Sequence, residues 1–174
     1  TGESIVYGDT DSVYFSAFKT LAQEITSNKV PWDKENIISL YDKIANELNG
    51  TFSNFMTTAF HCPKTRGEVI KAGREIVASK GLFITKKRYA VLYFDKEGNR
   101  TDTGGSQGKM KAMGLDLKRT DTPVFVQDFL SDILQLVLTG ATEKEVLDAI
   151  TDFRTQFKAR PGWEKGSTKR ANNI

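Results

Sequence analysis

The sequence predicts an α+β fold in which helices pack on one face of an antiparallel β-sheet and a helical segment follows at the end. Short apolar runs rich in β-branched and aromatic residues are joined by tight turns, which is typical of antiparallel strands. Longer stretches repeat apolar residues every three or four positions, as amphipathic helices do. At 174 residues, with 39% hydrophobic and 27% charged residues, the chain has an ordinary globular composition and about the length of one domain.

The first element is a β-hairpin within residues 4–15, with Asp9 and Asp11 at its tip between two strand-like runs. Carboxylates are hard oxygen ligands, and Mg²⁺ is usually held by one or two of them together with water and substrate phosphates. The hairpin therefore predicts a metal site suited to phosphoryl-transfer chemistry.

Two other interpretations of this acidic turn compete with a catalytic one. Calcium loops of the EF-hand type also alternate acids, but here Val13, Tyr14 and Thr20 stand where an oxygen ligand, a glycine and a bidentate glutamate are needed. An ordinary solvated turn is the second alternative, because Asp and Gly are common in turns for conformational reasons alone.

The next predicted element is helical and extends from about Asp33 to Phe60, as one helix or two. Its apolar residues recur at three- and four-residue steps, which predicts a stripe that is part of the core and covers the back of the sheet. The stripe consists of Ile37, Tyr41, Ile44, Leu48, Phe52, Phe55 and Ala59.

A strand-like region follows at residues 75–91 and contains three consecutive cations. We expect Lys86, Lys87 and Arg88 to lie beside Tyr89 in an extended run, where they could neutralise phosphates or reach minor-groove base edges. A solvated strand edge carrying cations is the alternative. Glu75 lies in a charged stretch with Lys71 and Arg74, where half of a surface ion pair is one interpretation of it.

Turn and capping signals place the remaining elements. Residues 95–99 connect two strands. Thr122 and Pro123 are expected to be the N-cap and first residue of a helix that ends at about Leu138. Thr142 and Glu145 form a capping-box pattern that starts a last helix, which ends at about Lys158.

Other features of the sequence limit its chemistry. His61 and Cys62 are the only histidine and cysteine, so we expect neither a zinc site nor a disulfide within the chain. The glycine-rich segment 104–109 lacks the spacing of a phosphate-binding loop and is expected to be mobile. No apolar run is long enough to span a bilayer, so we expect no membrane association. The net charge of +3 neither demands nor excludes nucleic acid.

Basic residues concentrate towards the end of the chain. They could follow a phosphate backbone or form a frayed basic terminus. They are Arg154, Lys158, Arg160, Lys165, Lys169 and Arg170, with Glu164 as the opposing acid.

Three segments resemble the family B DNA polymerases. The string Y-G-D-T-D-S at residues 7–12 resembles motif C of that family, and residues 75–91 resemble its E…G-F-F-x-T-K-K-x-Y-A segment. Residues 109–123 are similar to the K-x-x-G-L-E-x-x-R segment that leads from palm to thumb. The sequences of these motifs, together with the closing residues 171–174, are most similar to those of the T-even-type bacteriophage replicative polymerases.

The resemblance implies an antiparallel palm over residues 1–121 and the start of a helical thumb over residues 122–174. It implies that Asp11 is the main metal ligand, with Asp9 as a weaker or indirect participant and Glu75 as an auxiliary carboxylate. The remaining implied roles are turn shaping by Tyr7, Gly8 and Thr10, orientation of the acids or primer contact by Ser12, and DNA binding by Lys86, Lys87, Arg88 and Tyr89.

The activity implied is attack of a primer 3′-hydroxyl on the α-phosphate of a dNTP, supported by two Mg²⁺ ions in the complete active site. Nothing in the chain resembles the family's motif A, motif B or exonuclease, so we expect a palm–thumb fragment that is inactive alone. Expected partners are primer–template DNA, dNTP and the remaining polymerase segments, with a sliding clamp as a further candidate. A single cysteine fits a cytoplasmic location, in the host cell if the protein is viral.

A second class of function stays open on the sequence alone. The chain could be a non-catalytic DNA-binding or assembly module that keeps the palm surface. Both functions need residues 86–89, whereas only the enzyme needs Asp11.

Overall fold

The computed structural model of the chain describes residues 4–115, 117, 119 and 121–166. These residues contain both antiparallel strands and helices, which confirms the predicted α+β class. The chain divides into two compact units. Among the described residues, the first unit contains those up to Val77 together with Asp95–Arg100, and the second contains Ala78–Phe94 and those from Thr101 onward.

The first unit begins with the predicted hairpin. Strand β1 (Ile5–Gly8) pairs antiparallel with β2 (Val13–Phe15), and three helices follow. These are α1 (Phe18–Thr26), α2 (Lys34–Phe60) and α3 (Lys64–Gly67). Asp33 caps α2 by accepting a hydrogen bond from the Asn36 N–H at 3.0 Å, so this helix begins where the sequence predicts.

Helix α2 is continuous, but its apolar stripe is not the buried core that the spacing predicts. No residue of α2 is buried, and the side chains of Leu48 and Phe55 are 44% and 57% exposed. The spacing of apolar residues identifies the apolar face of a helix. It does not ensure that other described residues of the unit pack against that face along the whole helix.

The main sheet is built around one central strand. Strand β4 (Arg88–Lys96) pairs with β3 (Ile76–Thr85), with β5 (Asn99–Arg100) and with β6 (Lys109–Met113). In the second unit, Ala90 and Leu92 of β4 are buried against Leu138, with Met110, Ala112 and Leu115 packed around them. The turn between β4 and β5 lies where the sequence predicts it, and both Glu97 and Gly98 have positive φ there.

Helices end the described chain, in the order α4 (Val124–Thr139), α5 (Glu143–Ala159) and α6 (Gly162–Lys165). The Thr142–Glu145 capping box is present at the start of α5, as predicted. The expected start of α4 is wrong by one residue, because Pro123 has ψ 141° and so stands at the N-cap instead of Thr122. Strand β6 and helices α1, α3 and α6 carry no signal that the sequence analysis identified.

The helices show no membrane-spanning character. Within the described ranges, none combines the length and the apolar composition that a bilayer crossing requires.

Candidate functional site

The acidic turn joins β1 and β2 directly. Gly8 and Val13 are the last paired residues of the two strands, and the Asp9 N–H donates to the Ser12 carbonyl at 2.9 Å. This hydrogen bond closes the turn around Thr10 and Asp11. Two of the three acids of the predicted metal site, Asp9 and Asp11, therefore lie on one tight loop.

The two aspartates differ in their surroundings. Asp9 is half-buried, and its Oδ1 accepts hydrogen bonds from the Thr10 N–H at 2.9 Å and from the Thr10 hydroxyl at 3.3 Å. Asp11 and Ser12 are exposed. Asp9 thus has a local role in shaping the turn, whereas Asp11 faces solvent.

Aromatic contacts connect the two strands of the hairpin and pack the hairpin against α2. Tyr7 and Tyr14 are paired across the strands, with ring centroids 6.2 Å apart. Phe15 packs edge-on against Tyr41 of α2 at 5.2 Å, and the Tyr41 hydroxyl accepts a hydrogen bond from the Ala17 N–H at 3.0 Å. Tyr41 therefore helps to position the hairpin, whereas the sequence pattern indicated only that it belongs to the apolar stripe of α2.

Glu75, the third predicted acid, lies immediately before β3 in the same unit and is exposed. Its carbonyl accepts a hydrogen bond from the Glu97 N–H at 2.9 Å. No group of three histidine, cysteine or acidic residues that could hold a metal ion exists within the described ranges. Asp9, Asp11 and Glu75 consequently do not form such a group.

Arg74, the residue before Glu75, forms a partly buried ion-pair network that no sequence pattern indicates. Arg74 binds Asp42 of α2, with 2.5 Å between Nε and Oδ1, and also binds Asp95, whose side chain is 1% exposed. Asp95 also accepts from the Gly98 N–H at 3.1 Å. Burial opposes the charge of Arg74, but the hydrogen bonds to Asp42 and Asp95 outweigh it and raise the pKa of Arg74 above its ordinary value.

The cationic segment differs from its predicted conformation. Lys86 and Lys87 form the two-residue turn between β3 and β4, and Lys87 has a φ of 62°, so the expectation of an extended run is wrong at these two positions. Lys86, Lys87 and Arg88 are all exposed. In a strand, consecutive side chains point to opposite faces of the sheet, whereas in a hairpin turn they can extend together beyond the end of the strands.

Tyr89, which the resemblance assigns to DNA binding, is buried in the structure. It is 5% exposed, and its ring is stacked on Phe83 with centroids 5.6 Å apart. Burial favours a supporting role for this ring beneath the cationic turn. The sequence alone does not reveal whether an aromatic residue that adjoins cations is buried or exposed.

Gly114 supports the same turn from the third polymerase-like segment. It has a φ of 64°, and a Cβ placed there would lie 1.9 Å from the Lys87 carbonyl oxygen. No larger residue fits without moving the backbone of the turn. The glycine within the sequence Met113-Gly114-Leu115, in the segment that resembles the palm-to-thumb region, is the signal that could have identified this contact.

Part of the basic region near the end of the chain is occupied by intramolecular contacts. Arg160 pairs with Glu164 at 2.7 Å, and its guanidinium carbon lies 4.5 Å from the Phe125 ring centroid. Lys165 lies 5.5 Å from the Phe157 ring centroid and donates to the Lys158 carbonyl. Arg154 and Lys158 are exposed, while Lys169 and Arg170 lie outside the described residues.

Comparison with known proteins identifies matching sequences. The profile of DNA polymerase family B matches residues 2–161. A DNA-directed DNA polymerase of Escherichia phage RB69 is 31% identical over 147 residues, which is 79% of this chain and 16% of the relative. The DNA polymerase 037L of Invertebrate iridescent virus 6 is 24% identical, over 87% of this chain and 11% of the relative. A DNA-directed DNA polymerase of Enterobacteria phage T4 is also 24% identical, over 98% of this chain and 19% of the relative.

Proposed function

Because this chain belongs to DNA polymerase family B, we propose that it is the palm and first thumb part of a DNA-directed DNA polymerase. In this proposal residues 1–121 are palm and residues 122–174 begin the thumb. The chain spans less than a fifth of the length of the viral relatives described above, since it covers 16%, 11% and 19% of them. We propose that the remaining polymerase segments complete the active site and that the chain is inactive without them.

The observation that carries this proposal is the acidic turn between β1 and β2. It combines a polymerase-like sequence with a tight hairpin that holds two carboxylates on one loop. Two aspartates match the oxygen ligands that Mg²⁺ accepts, and Mg²⁺ usually takes only one or two carboxylates from the protein. The donor chemistry of the turn therefore fits part of a magnesium site.

We assign the role of principal ligand to Asp11, because it is exposed on the loop. Asp9 holds the shape of the turn through Thr10 and contributes its negative charge beside Asp11. Ser12 closes the loop through its carbonyl, and in this proposal its side chain contacts the primer or orients the acids. When bound, magnesium ions lower the pKa of the attacking 3′-hydroxyl and neutralise charge on the phosphates of the dNTP.

The turn between β3 and β4 is the proposed DNA-binding element. Lys86, Lys87 and Arg88 are exposed there and can neutralise backbone phosphates independently of sequence. Tyr89 acts beneath them through its packing on Phe83. This division of roles suits an enzyme that must bind every primer–template alike.

Primer extension tests the proposed function. The purified chain, with Mg²⁺ and dNTPs, is expected to show no extension. Extension is expected when the chain is joined by a polypeptide that carries the family's motif A and motif B and that co-purifies with it. The matched control is the same pair with Asp11→Asn in this chain, which should associate equally well and remain inactive.

Two results would contradict the proposal. Extension by the isolated wild-type chain would show that it is not an incomplete part. Stable association without any extension would favour the other candidate, a DNA-binding or assembly module that lacks catalysis.

A further inference from the structure

A groove lies between α4 and α5 in the second unit. It encloses a cavity of about 470 Å³ that is partly open to solvent, and its floor is aromatic. Phe129 and Phe153 are stacked with ring centroids 3.7 Å apart, and Phe125 lies 5.8 Å from Phe153. All three phenylalanines are only half-buried, so the groove presents apolar surface.

The rim of this groove is acidic. Asp128, Asp132 and Asp152 line it and are exposed. Asp128 and Asp132 are four residues apart on α4, where two like charges destabilise a helix slightly. Arg160 is the base among the lining residues, and Glu164 already pairs with it. The groove is thus locally negative on a chain whose net charge is +3.

An apolar floor with an acidic rim discriminates among occupants. Nucleic acid is disfavoured, because its phosphates would meet three carboxylates. A second copy docking through the same groove would oppose acid to acid. A helix that carries an apolar stripe flanked by lysine or arginine satisfies both the floor and the rim, as in other helix-in-groove interfaces.

We propose that this groove binds an amphipathic, cation-flanked helix of another polypeptide. The apolar face of that helix would cover Phe125, Phe129 and Phe153, and its cations would lie along Asp128, Asp132 and Asp152. This inference does not depend on the polymerase proposal, because it concerns neither the acidic turn nor the cationic turn.

A designed peptide provides the probe. It has leucines at positions i, i+3, i+4 and i+7 of each repeat and lysines elsewhere, and its binding to the 174-residue chain is measured by fluorescence anisotropy. Two control peptides are the glutamate-for-lysine version and a scrambled version that has no leucine stripe. The lysine peptide should bind, and each control peptide should bind at least roughly tenfold more weakly.

Matched variants locate the binding site. Asp128→Asn with Asp152→Asn should weaken the lysine peptide roughly tenfold, since two exposed ion pairs are lost. Glu143→Gln with Asp148→Asn is the control, because it removes the same charge from exposed residues of α5 that do not line the groove. The control should bind as the wild type does, and circular dichroism should show that both variants are folded.

Several results would overturn the proposal. Equal weakening by the two double variants would mean that the peptide senses only overall charge, and equal binding of the scrambled peptide would exclude a role for the apolar floor. Competition by duplex DNA for the peptide site would assign the groove to nucleic acid. Concentration-dependent self-association that is lost in the Asp128→Asn, Asp152→Asn variant would assign it to a second copy.

Discussion

At the scale of single residues, the two aspartates of the hairpin turn illustrate how one loop can give two carboxylates different roles. Asp9 is half-buried and accepts two hydrogen bonds from Thr10, whereas Asp11 is exposed. A carboxylate already engaged with its neighbour offers fewer oxygen lone pairs to a metal ion than one that faces solvent.

This difference leads to a prediction for the complete polymerase in which we propose that this chain takes part. Asp11→Asn is expected to reduce nucleotide addition roughly 100-fold or more, because charge stabilisation by metal ions contributes several kcal/mol to the transition state. Asp9→Asn is expected to cost less, and primer–template binding should be nearly unchanged in both variants. Single-turnover extension and DNA-binding titrations measure the two quantities. Equal or inverted losses would reverse the assignment of the main ligand.

Arg74 provides a residue-scale prediction for stability. Arg74→Met leaves the carboxylate of Asp95 buried without its cation, which should lower the free energy of unfolding by roughly 3–5 kcal/mol. Lys43→Met is the control, because it removes an exposed ion pair with Glu47 and should cost less than about 1 kcal/mol. Urea denaturation followed by circular dichroism measures both changes.

A second substitution identifies the cause of the loss at Arg74. Asp95→Asn in the Arg74→Met background removes the uncompensated charge and should restore part of the lost stability. If Arg74→Met proves as mild as Lys43→Met, the ion-pair network does not stabilise the first unit.

At the scale of elements, the hairpin of β3 and β4 changes how its cations are understood. Lys86 and Lys87 occupy the turn, Tyr89 packs on Phe83 below it, and Gly114 lies against the Lys87 carbonyl. The hairpin therefore exposes its cations at a turn whose backbone and neighbouring rings are held in place by packing.

The cationic turn is expected to determine how binding of primer–template DNA depends on salt. Replacing Lys86 and Lys87 by alanine should weaken binding for all sequences alike and reduce the log–log salt slope by about 0.9 for each lost phosphate contact. Fluorescence anisotropy at several salt concentrations gives both quantities. The control replaces two exposed lysines on helices, Lys43 and Lys144, and should change the slope less. Unchanged affinity and slope in the turn variant would identify the turn as a solvated strand end.

The capping box of α5 yields a prediction about pH. Hydrogen bonds from the Thr142 N–H and hydroxyl favour the ionised form of Glu145 and lower the pKa of its carboxyl from the ordinary value of 4.5. Because the folded pKa lies below the unfolded one, this stabilisation is complete above about pH 4.5 and is lost as the pH falls through the folded pKa.

Two variants test the capping box. Glu145→Gln should be less stable than the wild type at neutral pH, and the difference should shrink as the pH falls below 4.5 and through the lowered pKa of the folded state. Thr142→Ala should cost about 1 kcal/mol at neutral pH, whereas Thr151→Ala on the same helix should cost less because it removes no cap. Urea denaturation at each pH supplies the measurement. A difference between wild type and Glu145→Gln that does not vary with pH would contradict this mechanism.

At the scale of the whole molecule, charge is unevenly distributed despite a net value of only +3. Cations occupy the tip of the β3–β4 hairpin, and acids occupy both the β1–β2 turn and the groove of α4 and α5. Each of these surfaces has its own proposed ligand: DNA, metal ions and a cationic helix. A small net charge is therefore compatible with several distinct binding surfaces on one chain.

The sequence by itself determined the features that arise from neighbouring residues. The acidic hairpin, the Glu97–Gly98 turn and the Thr142–Glu145 capping box all form where they are predicted, because strand pairing at a tight turn and helix capping act over a few residues. The family resemblance has the same origin, since it depends on short strings such as the one around Asp11.

Only the tertiary structure decided which residues are covered and which polar groups meet over long distances in the chain. Tyr89 is buried although it adjoins three cations, Phe55 is exposed although it belongs to an apolar stripe, and Arg74 joins Asp42 to Asp95 across the first unit. Burial and long-range ion pairs depend on packing between elements distant in sequence, which local periodicity and spacing do not encode.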